Sequence, residues 1–433
     1  RRDALLRIPA ARNYCGMMAG VDPKRASRIP ICEDQMKSTL RRVFYSAMIT
    51  CALVLLDGCA NSSVDDIASG KIVEIAIPAP SLSGNLLGDP SEQPVSIYLP
   101  PSYDSSSDKR YPVLYLLHGF TGTNRTWMID PDGPDLEPVP GAANGNYQHE
   151  GVLQSERLDS IMAAGIVPEL IIVAPNGRNT YKHSFYVNSP VTGNWEDYVV
   201  EDVVGFIDAN FRTMSAASSR GIAGHSGGGN GALYLAMRHP QVFGSVYAMS
   251  PCCSGENFSL PSLVATETGE PNQFWQDVYT SIGSLSSLDQ LPMVFTDRPE
   301  DFYRNEELAA AAAFAPNPDR PPFYGDYLFE LREGHLVRNE NAYERRMDHS
   351  VYRLIDKHED ALRSLRGMFI DWGEHEMEPL ALGNAEFVEA LALRRIPYIS
   401  EIYAGGYHGN MITERLESRG LKFFADTLQY SEE

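Results

Sequence analysis

Residues 220–238 read RGIAGHSGGGNGALYLAMR and decide the fold of this 433-residue chain. A short run ending in two apolar residues precedes the glycines, and the eight residues from Gly231 have helical character, which gives the order strand, tight turn, helix. In that context the G-x-S-x-G pattern at 224–228 predicts a strained turn that holds a serine hydroxyl above a sheet, at the N-terminus of a helix. Ser226 is therefore the candidate nucleophile; the alternative is a plain glycine-rich connection.

A serine nucleophile needs a base and an acid, and with this motif they follow it in the chain as acid, then histidine. His408 fits the base, because it lies in the glycine-flanked segment 405–410 between the strand-like run 398–403 and the amphipathic run 411–428. The acid is expected after the strand-like run 367–372. Position alone leaves four candidates open: Asp371, Glu374, Glu376 and Glu378.

The oxyanion formed during acyl transfer needs two backbone N–H donors. One is expected from Gly227, directly after the nucleophile, and the other from the loop after an early core strand. The apolar run 111–117 is such a strand, and we predict that Phe120, in the following loop, supplies the second donor. His118 closes the strand, where a histidine is more often structural than catalytic.

The rest of the chain predicts an α/β fold. Helical segments alternate with strand-like runs from the third run onward, which predicts a mostly parallel central sheet with helices on both faces. The helix expected over 196–211 carries one apolar stripe and belongs to the core. Residues 253–366 interrupt the alternation, and we expect them to form a long helical cap over the site, or else a peripheral decoration. The strand-like runs are 72–77, 95–99, 113–117, 170–174, 221–224, 245–250 and 368–372.

Four segments together resemble the putative-esterase family of the α/β-hydrolase superfamily. They are Tyr115-Leu-Leu-His-Gly119, Asn194-Trp-Glu-Asp-Tyr198, Gly224-His-Ser-Gly-Gly228 and Gly405-Gly-Tyr-His408. The family includes feruloyl and acetyl-xylan esterases, enterochelin-type esterases, S-formylglutathione hydrolases and mycolyltransferases. The resemblance implies the α/β-hydrolase fold, and it implies that the acid stands three places after Gly373, which falls on Glu376 where relatives usually carry aspartate.

The N-terminus carries the pattern of an export signal. A basic start at Met36 leads into the apolar run 43–56 and then to Cys59, the layout of a signal peptide that ends in a lipobox-like cysteine. We therefore expect 1–35 to be an upstream extension, 36–59 the signal, 60–70 a tether and 71–430 the catalytic domain. The protein would be a lipoprotein of a bacterial cell envelope anchored through Cys59, or alternatively a periplasmic or secreted protein.

Charge and cysteine content limit the partners. The formal net charge of −21 argues against nucleic acid and against an anionic membrane surface, so membrane contact is expected only through a lipid at Cys59. Four of the six cysteines precede residue 60, and the remaining two, Cys252 and Cys253, are adjacent, so no disulfide framework is expected. The histidines show no paired ligand spacing, so neither a metal nor another cofactor is expected.

These residues together predict a serine esterase that works through an acyl-enzyme on small or carbohydrate-linked esters, such as feruloyl or acetyl esters. Trp195 and Tyr198 are candidates for lining the substrate pocket, although aromatic residues at a helix start more often pack in the core. Two alternatives stay open: acyl transfer to a sugar or lipid acceptor, and a surface lipoprotein that binds a partner through an inactive hydrolase fold.

Overall fold

The computed structural model describes residues 69–130, 152–255, 273–291 and 299–431. The predicted extension, the signal and Cys59, together with most of the tether, lie outside the described residues and stay predictions. In the described ranges no helix is both long enough and apolar enough to cross a membrane.

The described part of the chain forms twelve strands. They are β1 Lys71–Pro78, β2 Glu92–Leu99, β3 Val113–Leu117, β4 Ile171–Pro175, β5 Asn188–Ser189, β6 Gly193–Asn194, β7 Arg220–His225, β8 Ser245–Met249, β9 Phe329–Arg332, β10 His335–Arg338, β11 Gly367–Gly373 and β12 Ile399–Tyr403. The strands predicted for the core lie within one residue of these bounds, except that β2 begins three residues before the predicted run 95–99.

Ten helical segments lie within the same described ranges. They are α1 Ser155–Ala163; α2, with the parts Trp195–Asp197, Tyr198–Val203 and Val204–Asn210; α3 Gly227–Arg238; α4 Gln273–Gly283; α5 Pro299–Phe314; α6 Glu340–Met347; α7 Val351–Leu354; α8 Glu359–Ser364; α9 Glu378–Leu393; and α10, with the parts Ile412–Arg415, Leu416–Gly420 and Leu421–Thr427. The middle parts of α2 and α10 are π-helical. Short 3₁₀ turns occur at Pro80–Leu82, Asn124–Thr126, Ala217–Ser219 and Leu288–Gln290.

Eight strands form the central sheet in the order β1-β2-β4-β3-β7-β8-β11-β12. The six strands from β4 to β12 are parallel, whereas β2 runs antiparallel to both β1 and β4. The predicted mostly parallel sheet is confirmed. Because parallel strands end at one edge, the loops after β3, β7, β11 and β12 meet at the same side of the molecule.

Alternate residues of the buried strands enter two separate cores. In β3, Tyr115 packs with the helices α2 and α3, whereas Leu114 and Leu116 pack on the opposite face with α1 and α10. This period-2 division of an apolar strand is the pattern of a sheet covered on both faces. The apolar stripe of α2 lies in the first core, as the sequence predicted.

The long insertion lies between β8 and β11. It contributes α4 to α8 and the hairpin β9–β10, and its apolar side chains continue the core formed around α2 and α3. One of its side chains, Phe302 at the start of α5, lies edge-on to Phe120 with 5.3 Å between the ring centroids. The insertion therefore contacts the loop after β3. That it forms a cap over the substrate stays a prediction.

Candidate active site

Ser226 is the single residue between the end of β7 and the start of α3. Its backbone has φ 56° and ψ −120°, a conformation that costs a non-glycine residue on the order of 1–3 kcal/mol. The neighbouring strand holds it in place: the Ser226 N–H donates to the carbonyl of Met249 at 3.0 Å, and the Ser226 carbonyl accepts from Cys252 N–H at 3.1 Å. The turn is thus fixed from both sides with its hydroxyl at the sheet edge.

The turn packs directly against the end of β3. A Cβ built on Gly228 would lie 2.3 Å from the carbonyl oxygen of Leu117, so only glycine permits this approach. A Cβ built on Gly119 would lie 3.1 Å from Cβ of Ser226, which shows how closely the loop after β3 borders the serine. Phe120 on that loop and Gly227 at the start of α3 therefore border Ser226. That their backbone N–H groups bind the oxyanion stays a prediction.

His118 has a structural place in this loop. Its fully buried ring donates from Nδ1 to the carbonyl of Gly119 at 2.9 Å, and its Nε2 accepts from the N–H of Gly177 at 2.8 Å. Both ring nitrogens are therefore engaged with the backbone of two loops. This arrangement agrees with the expectation that His118 is structural.

His408 connects the serine to a carboxylate. Its Nε2 lies 2.9 Å from Oγ of Ser226, and its Nδ1 lies 3.0 Å and 3.1 Å from the two carboxylate oxygens of Glu376. A carboxylate accepts only, so Nδ1 carries the proton and Nε2 is free to accept from the serine hydroxyl. The side chain of Glu376 is fully buried, which strengthens its interaction with the imidazole.

The turn that carries Glu376 is bonded to the loop that carries His408. A Cβ on Gly373 would lie 2.3 Å from the backbone of Gly406, and the N–H of His375 donates to the carbonyl of Gly406 at 2.8 Å. This contact between the segments that follow β11 and β12 holds Glu376 and His408 close together. Glu374 and Glu378, the two neighbouring candidates, are exposed.

Asp371 is buried but faces away from the histidine. It accepts from the hydroxyl of Tyr247 at 2.8 Å and from Nε and Nη2 of Arg415 at 2.8 Å and 2.6 Å. Burial raises the pKa of Asp371 to about 6, against the opposing effect of Arg415. Asp371 therefore ties β8, β11 and α10 together, and among the four candidates only Glu376 is bonded to His408.

Trp195 and Tyr198 require a correction. Both side chains are fully buried, their rings meet edge-on at 5.4 Å, and Trp195 Nε1 donates to the carbonyl of Thr192 at 2.7 Å. Neither side chain is accessible to a substrate. Both side chains belong to the core around α2 and α3, so the first turn of α2 packs inside the protein.

Two histidines near the site were missed at the sequence level. His225, inside the motif itself, donates from Nε2 to the backbone carbonyl of His408 at 2.5 Å. His183 is buried beside Phe120, and burial lowers its pKa to about 4, so it is neutral. The position of His225 next to the nucleophile was a signal for the first; nothing in the local sequence indicated the second.

The described residues show no group of three or more histidine, cysteine or acidic side chains that could hold a metal ion. The arrangement of Ser226, His408 and Glu376 is that of a nucleophile, a base and an acid, which can perform nucleophilic acyl chemistry.

Known proteins similar to this chain include esterases. Esterase Rv1288 of Mycobacterium tuberculosis strain H37Rv is 24% identical over 322 residues, which cover 66% of this chain and 61% of the relative. This chain thus matches less than two thirds of that relative's length. An endo-1,4-beta-xylanase/feruloyl esterase of Xylanibacter ruminicola is 28% identical over 156 residues, which cover 35% of this chain and 18% of the relative.

The fold is similar to that of a solved ferulic acid esterase. The similarity has a TM-score of 0.50 at 20% identity and covers 83% of this chain and 99% of that structure. The family described as "Putative esterase" matches residues 90–317, more than half of the chain. The chain therefore belongs to this esterase family.

Proposed function

We propose that this protein is a serine carboxylic-ester hydrolase that works through an acyl-enzyme on Ser226. The observation that carries the proposal is the unbroken sequence of hydrogen bonds from the buried Glu376 carboxylate through His408 to the Ser226 hydroxyl, at 3.0 Å and 2.9 Å. Membership of an esterase family and the esterase names of the relatives support it.

The reaction begins with proton transfer from the serine. Ser226 Oγ attacks the ester carbonyl carbon while its proton passes to Nε2 of His408. Glu376 stabilises the imidazolium that forms, because its carboxylate already accepts from Nδ1. The negative oxygen of the tetrahedral intermediate lies between the N–H groups of Phe120 and Gly227, each worth on the order of 10²-fold to 10³-fold in rate.

The second half repeats the first with water. The intermediate collapses, the alcohol leaves with the proton from His408, and the acyl group stays on Ser226. Water then donates a proton to Nε2 and attacks the acyl carbon, and the acid is released as the proton returns to Ser226.

We propose small or carbohydrate-linked acyl esters as substrates, with feruloyl and acetyl esters as the first to test. The support is the name of the Xylanibacter ruminicola relative, an endo-1,4-beta-xylanase/feruloyl esterase. Acyl transfer to a sugar or lipid acceptor would use the same acyl-enzyme, so an added alcohol acceptor in the assay distinguishes the two outcomes.

The test is hydrolysis of 4-nitrophenyl acetate, 4-nitrophenyl butyrate and methyl ferulate by the full chain. The control is Ser226→Ala, which removes only the nucleophilic oxygen. We expect kcat to fall by on the order of 10⁴-fold or more in the variant. Activity that survives the substitution, or no activity on any ester in the wild type, would overturn the proposal.

A further inference from the structure

Two cations lie on the segment that borders the oxyanion loop. Arg178 and Lys182 follow β4, and both contact Thr121, the residue after Phe120. Arg178 Nη1 donates to the carbonyl of Thr121 at 2.6 Å, and the N–H of Thr121 donates to the carbonyl of Lys182 at 3.2 Å. The two basic residues are thereby held on either side of Thr121.

The next residue along the segment reaches both predicted oxyanion donors. The ring of His183 lies 6.1 Å from the ring of Phe120, centroid to centroid, and a Cβ on Gly227 would lie 2.7 Å from Cε1 of His183. Lys182 therefore directly precedes in the chain the residue, His183, that packs against Phe120 and Gly227.

Neither cation is neutralised by an ion pair in the described part of the chain. The Arg178 guanidinium bonds only to the backbone carbonyl of Thr121, and the Lys182 ammonium makes no hydrogen bond in that part of the chain. Burial lowers the pKa of both groups, and the charge of Arg178 lowers the pKa of Lys182 further. The charge of Asp89 raises the pKa of Lys182, so this carboxylate attracts the ammonium without lying within ion-pair distance of it. Asp89 Oδ1 accepts from the N–H and hydroxyl of Thr180 at 2.9 Å and 2.8 Å, and Oδ2 is buried without a hydrogen-bond partner among the described residues.

Two adjacent, half-buried cations cost free energy unless an anion joins them. In a chain of net charge −21 many carboxylates are present to pair with them, yet none is placed within ion-pair distance among the described residues. The arrangement is therefore suited to a negative charge that arrives with a ligand.

The backbone gives a second, independent indication. Lys182 has φ 75° and Thr121 has φ 74°, both in the left-handed region that residues other than glycine rarely adopt. Each such residue costs on the order of 1–3 kcal/mol and persists where surrounding contacts fix it, most often at ligand clamps and active sites. Here the strained pair joins the oxyanion loop to the cationic segment.

We propose that Arg178 and Lys182 form an anion subsite that binds a carboxylate, phosphate or sulfate group on the ester. The inference rests on the proposed function, because it assigns this subsite to the ester that Ser226 attacks. It narrows the substrate class to esters that carry a negative charge in the acyl or the alcohol part.

The kinetic test compares three esters: phenyl acetate, which is neutral; 4-acetoxybenzoate, with the charge in the alcohol part; and monophenyl succinate, with the charge in the acyl part. The variant is Lys182→Met, and Lys422→Met on the exposed side of α10 is the control with the same loss of charge. We expect Lys182→Met to lower kcat/KM for one anionic ester about 10-fold, mainly through KM, and to leave phenyl acetate within about 2-fold. Added salt should weaken the preference in the wild type and in Lys422→Met but not in Lys182→Met.

A binding test is independent of turnover. Calorimetry on Ser226→Ala and on Ser226→Ala combined with Lys182→Met would measure the Kd of 4-acetoxybenzoate and of monophenyl succinate, with competition by acetate, phosphate and sulfate to rank the anions. Weaker binding of at least one ester in the double variant supports the subsite even if the wild type hydrolyses nothing. If each ester binds the two variants with the same Kd, the subsite is overturned. Wild-type hydrolysis with no preference for an anionic ester would also overturn it, and in either case the esterase proposal is left standing.

Discussion

Replacing Glu376 by glutamine removes the charge of the proposed triad acid and keeps its shape. Glu376 Oε1 accepts from the N–H of Met377 at 2.8 Å as well as from Nδ1 of His408. The oxygen of a glutamine side chain can still accept from the N–H of Met377. In that orientation its NH₂ group faces Nδ1 of His408. Because NH₂ donates only, the His408 proton moves to Nε2, where the ring can no longer accept from Ser226.

The expected loss follows from this tautomer and from the missing carboxylate charge. An aspartate-to-asparagine change in a Ser-His-Asp triad lowers kcat by on the order of 10⁴-fold through the wrong tautomer. The geometry here is equivalent, so we expect a loss of the same order in Glu376→Gln, which corresponds to about 5.5 kcal/mol in the activation barrier.

The assay is steady-state hydrolysis of 4-nitrophenyl acetate, with thermal unfolding to confirm that each variant is folded. Glu374→Gln and Glu378→Gln are matched controls, because both residues are exposed and lie within two positions of Glu376. We expect both to stay within about 3-fold of the wild type, since exposed charges contribute little. If Glu376→Gln keeps more than a tenth of kcat, or if either control loses as much, the triad acid has been assigned to the wrong residue.

Three further predictions concern stability. Asp371→Asn removes the buried charge that pairs with Arg415 and leaves that arginine only its second, more exposed partner Glu401. We expect the free energy of unfolding to fall by about 3 kcal/mol in urea titrations while kcat of the folded protein changes little, and a 10⁴-fold loss of kcat would contradict this. Burial and a neighbouring carboxylate raise the pKa of Glu306 from 4.5 to about 7, so its ionisation destabilises the fold as pH rises between these values. Glu306→Gln should therefore raise the unfolding free energy by up to about 3 kcal/mol at pH 8 and much less at pH 5; an equal gain at both pH values would exclude this cause. Gly228→Ala places a Cβ 2.3 Å from the carbonyl of Leu117 and should cost about 3 kcal/mol or more together with activity, and normal thermal unfolding would refute the close approach.

The sheet and its two-sided cover were predictable because local patterns decide them. Buried parallel strands are continuous apolar runs, and β3 and β11 stand out between polar loops for that reason. The place of Ser226 followed from the glycines around it, since few other sequences allow a strand to turn directly into a helix. These features depend on residues that are neighbours in the chain.

Side-chain roles that depend on distant residues were not predictable in the same way. The sequence shows that Trp195 and Tyr198 begin a helix, but it does not show whether that first turn packs in the core or lines a pocket. Lys182 gave no signal at all, because its significance comes from Thr121, 61 residues earlier, and from a backbone conformation that the residue type does not indicate.

β11 and the turn after it carry two buried carboxylates, and for this reason the triad acid could be identified only from the structure. Asp371 and Glu376 are five residues apart, both are fully buried in their side chains, and either could orient a histidine by charge alone. Arg415 distinguishes the two, because it donates two hydrogen bonds to Asp371. Glu376 is then the carboxylate that faces His408. One arginine on α10 thus stabilises the sheet and also leaves the histidine a single acid. Accordingly, Asp371→Asn should lower stability and Glu376→Gln should lower activity, and a reversal of these two effects would mean that Arg415 does not make this division.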